Sequence, residues 1–132
     1  MLLSEMNPAT ENAPVCILVV EDDPIIRFTI AETLRELDAS VIEAATADEA
    51  WQFLKSGSPV DVIFTDHLMP GSMTGAQLAA KVREQFPVIK IIVTSAYFSA
   101  QEWREPILRK PYKLYETAND LIKLARQNRA AG

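Results

Sequence analysis

Hydrophobic residues in this chain follow two periods. The apolar runs 16–20, 60–64 and 89–93 have the length of strands, and between them apolar residues recur every three or four positions, as on one face of a helix. The run 41–44 reads as a second strand, 89–93 as a β-branched fourth strand, and Ile107 and Leu108 as the core of a fifth of about three residues. Pro24 suits the first turn of a helix, and Ile26, Ile30, Leu34 and Leu37 then share one face. Thr46, Ala47, Asp48 and Glu49 have the form of a capping box opening a second helix with Ala50, Phe53 and Leu54 inward; Gly57 and Pro59 stop it. A third helix over 74–86 carries Leu78, Val82 and Phe86 and ends at Pro87. Leu114, Ala118, Leu121, Ile122 and Ala125 define a last amphipathic helix that fades out in 128–132.

Strands alternating with helices imply right-handed crossovers and a parallel sheet covered on both faces, a three-layer α/β sandwich. Ligands of such sheets bind beyond the carboxyl ends of the strands. Four apolar runs end there in polar residues of different kinds: Glu21 and Asp22, Thr65 and Asp66, Thr94 and Ser95, Arg109 and Lys110. Residues 1–14 read as a flexible arm, 15–127 as one domain and 128–132 as a flexible tail, with no internal repeat.

The net charge of −5 disfavours direct nucleic-acid binding or attraction to an anionic membrane. No run approaches the roughly 20 apolar residues of a membrane span, and Met1 to Leu3 meet Ser4 and Glu5 at once, unlike a secretion signal; the cytoplasm is the expected compartment. Cys16, the one cysteine, lies between Val15 and Ile17 and reads as structural. Gly57, Gly71, Gly75 and Gly132 make no phosphate-cradling loop, so a dinucleotide enzyme is not expected.

Gathered at one rim, Glu21, Asp22 and Asp66 would repel one another unless a cation intervened. Mg²⁺ suits the donors, with Asp22 and Asp66 as direct ligands and Glu21 acting through water. One oxygen of Asp66 would remain free to attack phosphorus. Lys110, the Thr94 hydroxyl and backbone amides after Asp66 could answer the incoming charge.

Val19-Val20-Glu21-Asp22-Asp23-Pro24, Asp66-His67-Leu68-Met69-Pro70-Gly71, Val93-Thr94-Ser95 and Lys110-Pro111-Tyr112 resemble the signature of two-component response-regulator receiver domains over about residues 15–126. The resemblance implies a flavodoxin-like, five-stranded parallel sheet in the order 2-1-3-4-5. It also implies phosphorylation of Asp66 by a histidine kinase or phosphotransfer protein, with Mg²⁺ at Asp22, Asp66 and the Leu68 backbone carbonyl. Thr94 would be the switch hydroxyl, Lys110 the phosphate partner, and Lys110–Pro111 a cis peptide.

The chain departs from that pattern in places. The loop from Met69 to Gly75 is one residue longer than the commonest form and has Thr74 where Asp is usual, although Thr74 also serves as a helix N-cap. Thr94 and Lys110 stand only sixteen positions apart, so the fourth helix should be short or missing. Ile107 occupies the place of the family's switching aromatic. Tyr97, Phe98 and Trp103 nearby read equally as a partner surface or as caps on a core deprived of its helix. His67 reads as a solvent-facing loop residue, with metal binding or modulation of phosphoryl hydrolysis as the sharper alternatives. Trp51 reads as a packing or surface aromatic.

The expected function is a stand-alone receiver that signals to a downstream protein or drains phosphoryl groups from a kinase, with homodimerisation left open. The alternative is a binding module that keeps the fold and acts without phosphate through the altered region 95–109. Turnover of an external substrate is not expected: haloacid-dehalogenase-type hydrolases place a second Asp where this chain has Leu68.

Overall fold

The computed structural model describes residues 13–95, 107–109 and 113–131. The arm 1–12, the expected fourth helix, Tyr97, Phe98, Trp103, Lys110 and the Lys110–Pro111 bond lie outside the described residues.

Strands β1 (Cys16–Val20), β2 (Ser40–Ala44), β3 (Val62–Asp66), β4 (Lys90–Ser95) and β5 (Ile107–Arg109) form one sheet in the order β2-β1-β3-β4-β5. Every neighbouring pair is parallel. Helices α1 (Pro24–Glu36), α2 (Ala47–Lys55), α3 (Gly75–Gln85) and α4 (Leu114–Ala131) connect and cover it. Alternation along β1 sorts the core into two layers. Ile17 and Val19 pack with Ile30, Leu34, Ala118, Leu121 and Ala125 of α1 and α4. Leu18 and Val20 pack with Ala50, Leu54, Leu78 and Val82 of α2 and α3. Apolar side chains on both faces explain why β1 reads as an unbroken hydrophobic run. Each fully buried Leu, Ile or Val contributes about 1.5–3 kcal/mol.

Local chemistry fixes where the helices begin. The Asp23 carboxylate accepts the Ile25 and Ile26 N–H groups, and Pro24 occupies the first turn. At α2 the Thr46 hydroxyl accepts the Glu49 N–H, but the Glu49 carboxylate reaches back to Ala45 rather than to Thr46, so the expected capping box is displaced by one residue. Thr74 and Gln77 form the reciprocal box at α3. Just past Leu37, the C-cap of α1, Asp38 turns the chain in the left-handed region at φ 68°, which Asp tolerates better than most residues.

Three expectations need correction. Strand β3 starts two residues later than the apolar run, and Asp61 before it accepts the Cys16 N–H and pairs with Arg129 at 2.7 Å. The C-terminal helix does not fade at 128. It continues to Ala131, where Asn128 donates to the Asp61 and Val88 carbonyls and Arg129 to those of Ala13 and Pro14. On α1 the buried stripe is Ile30, Ala31 and Leu34, while Ile26 is exposed along with Ile25 and Phe28.

Candidate phosphoacceptor and cation site

The sheet register assembles the acidic rim. Val20 lies opposite Thr65 and Ala44, and Asp66 lies opposite Thr94, so the residues ending β1, β3 and β4 meet at one edge. Glu21 donates its N–H to the Ala44 carbonyl, continuing β1 by one step. Carboxylate oxygens of Glu21, Asp22 and Asp66 all lie within 4.8 Å of one another; Glu21 is buried, Asp66 half-buried and Asp22 exposed. At that spacing, with an effective dielectric near 20, each pair of charges repels by about 3 kcal/mol. Oxygen donors set so close, with one side open to water, fit a hard divalent ion such as Mg²⁺ that keeps several waters.

Backbone contacts fix the acidic groups. The Asp23 N–H donates to Glu21 Oε2 at 3.2 Å, and Arg27 Nη1 donates to the Glu21 carbonyl at 2.8 Å. Arg27 Nε also pairs with Glu43 on β2 at 3.4 Å. The His67 N–H is shared between Asp66 Oδ1 at 2.8 Å and the Thr94 carbonyl at 2.9 Å. His67 is therefore a half-buried backbone donor beside the carboxylate rather than a solvent-facing loop residue. Thr94 is 2% exposed, and its hydroxyl stands 3.5 Å from the Thr65 carbonyl.

Glu21, Asp22, Asp66 and Thr94 are thus brought together. Leu68 follows in the loop after β3 with its side chain in solvent, and Lys110 lies outside the described residues. Trp51 is buried, edge-on to Phe86 at 5.6 Å, with Lys81 Nζ 4.7 Å from its ring centre. It is a packing residue.

Two features of the loop 67–74 had no prior expectation. Gly75 donates its N–H to the His67 carbonyl at 2.8 Å, and a methyl group in place of its hydrogen would stand 2.2 Å from the Asp66 carbonyl oxygen. The chain can double back against Asp66 only with glycine there. The signal was a glycine at the first position of a helix, directly after a good N-cap. At the loop's far side Asp48, in the first turn of α2, accepts both the N–H and the hydroxyl of Ser72. The Ser72 hydroxyl holds the Asp48 carboxyl below its ordinary value. Gly71, at φ 114°, lets the turn approach Asp48 closely.

Residues 17–108 match the family model described as the response regulator receiver domain. The hydrogenase transcriptional regulatory protein HoxA of Cupriavidus necator is 37% identical over 86 residues, which are 65% of this chain and 17% of HoxA. A chemotaxis protein CheY homolog of Campylobacter jejuni is 38% identical over 81 residues, 57% of this chain and 62% of that protein. This chain therefore spans less than two thirds of either relative. Among solved structures, response regulator protein TrrA of Thermotoga maritima, in complex with Mg(2+)-BeF, superposes with a TM-score of 0.71 at 29% identity. The match covers 83% of this chain and 98% of that one.

Proposed function

This chain belongs to the response regulator receiver domain family, and from that premise we propose that Asp66 accepts a phosphoryl group from a phosphohistidine on a kinase or phosphotransfer protein. The observation that carries the reading is the cluster of Glu21, Asp22 and Asp66 carboxylates within 4.8 Å, at the strand ends where an α/β sheet binds ligands. A structure of TrrA with Mg(2+)-BeF supports the same ion here. Asp22, Asp66 and the Leu68 carbonyl would hold Mg²⁺, with Glu21 acting through water. Bound there, the ion neutralises charge on the transferring phosphoryl oxygens.

The chain's own residues supply the remainder. The His67 N–H orients the Asp66 carboxylate by binding Oδ1. An Asp66 oxygen forms the new bond to phosphorus while the bond from phosphorus to the donor imidazole nitrogen breaks, and the departing nitrogen keeps that electron pair. Thr94, opposite Asp66 in the register, offers its hydroxyl to the new phosphoryl oxygens, and Lys110 its ammonium. The product is an acyl phosphate on the protein itself, with no external substrate turned over. Its output is a protein contact, or removal of phosphoryl groups from the kinase.

Incubation with acetyl phosphate and Mg²⁺ should add one phosphoryl group by intact mass, lost in Asp66→Asn and when the metal is chelated. Wild-type protein that stays unmodified both there and with kinase transfer would sink the reading. The phosphate-independent alternative predicts that Asp66→Asn leaves partner affinity unchanged, whereas substitutions at Tyr97, Phe98 or Trp103 abolish it.

A further inference from the structure

The Glu21 and Asp66 carboxylates each accept a backbone N–H, from Asp23 and His67. Asp22 is exposed, and its carboxylate is delivered by the short turn between β1 and α1. The carbonyl of Glu21 belongs to the peptide unit that joins it to Asp22, and Arg27 Nη1 donates to that oxygen at 2.8 Å. The same guanidinium is fixed from its other side: Nε lies 3.4 Å from Glu43 Oε1, and Glu43 is held in turn by Arg35 Nη2 at 3.1 Å. The planar fork of arginine bridges two such acceptors; the single ammonium of lysine has no comparable fork.

We propose that Arg27 is a positioning residue that sets the affinity of the Glu21, Asp22 and Asp66 cluster for a divalent cation, by fixing the Glu21–Asp22 peptide unit. The inference rests on the metal site of the proposed function. Two effects oppose one another here. A cation beside the cluster repels Mg²⁺, so deleting it would tighten binding. Yet the charges of Arg27 and Arg35 are together matched by Glu43 and Glu32, and long-range repulsion near solvent is screened. The lost hydrogen bond therefore outweighs it, and removing Arg27 should weaken the site.

The test is calorimetric titration of Mg²⁺, with Mn²⁺ as a second probe, into the wild-type protein and into Arg27→Met, Arg27→Lys and Glu43→Gln. Arg27→Met should bind about tenfold more weakly, at the lower end of effects for groups that orient a metal's ligands. Arg27→Lys should fall between it and wild type, and Glu43→Gln should show the same direction with a smaller loss. At saturating Mg²⁺ the rate of phosphorylation by acetyl phosphate should return to within about twofold of wild type, as expected when uniform binding alone is lost. Unchanged or tighter binding in Arg27→Met overturns the inference, as does a rate deficit that persists at saturation. If Arg27→Met does not fold, equal affinity in Glu43→Gln and wild type overturns it. A wild-type protein that binds neither ion removes the metal reading itself, a different failure from a wild type that binds and variants that match it.

Discussion

Substituting Gly75 by Ala sets two physical effects of opposite sign against each other. Gly75 opens α3, and no positive φ requires glycine there, so helix propensity alone predicts a gain of up to about 1 kcal/mol from alanine. The structure predicts a loss. The new methyl would stand 2.2 Å from the Asp66 carbonyl oxygen and 2.9 Å from the His67 Cα. Relief requires a movement of about 1 Å, since carbon atoms pack near 3.5–4.0 Å. The obstacle is backbone at the end of β3, and the Asp66 carbonyl is held further by the Thr65 hydroxyl at 2.9 Å. Overpacking of this kind costs about 1–3 kcal/mol, so the net expectation is a destabilisation of about 1–2 kcal/mol. For a chain of 132 residues that lowers Tm by about 4–8 °C. Urea unfolding followed by tryptophan fluorescence measures it. Because the strain falls on the backbone of Asp66, the proposed phosphoacceptor, phosphorylation by acetyl phosphate should slow as well. Gly57→Ala is the control: at φ 87° with nothing within 4 Å, it should cost about 1 kcal/mol in backbone strain and leave the phosphorylation rate unchanged. A Gly75→Ala protein as stable as wild type, phosphorylated at the same rate, refutes the close-approach argument.

Other expectations follow from single contacts. Ser72→Ala should raise the Asp48 carboxyl pKa, read by carboxyl NMR, because the Ser72 hydroxyl is the first cause of its lowering. The folded carboxyl titrates below its ordinary 3.8, so the latch's stabilisation is complete above that value and is lost as pH falls through the lowered one; Ser72→Ala should flatten that acid limb. Burial first, then the Asp61 carboxylate, push the Cys16 thiol above its ordinary 9.0. Thiol labelling at neutral pH should be slow and quicken on unfolding, and since the folded state holds this proton more tightly, stability should fall as pH rises past 9.0. Arg129→Ala removes the 2.7 Å pair with Asp61 and the bonds to Ala13 and Pro14, for a loss of about 1–3 kcal/mol in urea unfolding.

The rim was legible because its chemistry closely follows apolar runs in the chain: Glu21, Asp22, Asp66 and Thr94 stand at or just past the carboxyl end of a strand, and parallel register does the rest. What escaped the sequence depends on distant partners. The helix α4 looked finished at Asn128 because its last residues carry no apolar stripe, whereas Asn128 and Arg129 are held by Val88 and Asp61, 40 and 68 positions away. Ile26 fits the same four-residue spacing as Ile30 and Leu34, but periodicity says nothing about how far along a helix the covering layer extends. Gly75 and the Asp48 latch went unread for a further reason: what they require is space and a turn, which no hydrophobic period records, and only the placing of Gly75 directly after the Thr74 cap hinted at it.

The Arg129 contacts also tie the end of α4 to the residues that lead into β1. Its guanidinium, near the end of α4, reaches the Ala13 and Pro14 carbonyls at the start of β1, so entry and exit points are neighbours. They lie at the amino ends of the strands, about 16 Å along a five-residue strand from the carboxyl-end rim that gathers Asp22 and Asp66. A short peptide closing 131 to 13, with new termini opened at the Gly57 turn, should yield a circular permutant that still accepts phosphate. The same geometry predicts a portable unit: spliced into a host protein through one attachment point, it should keep its carboxylate rim facing away from the seam.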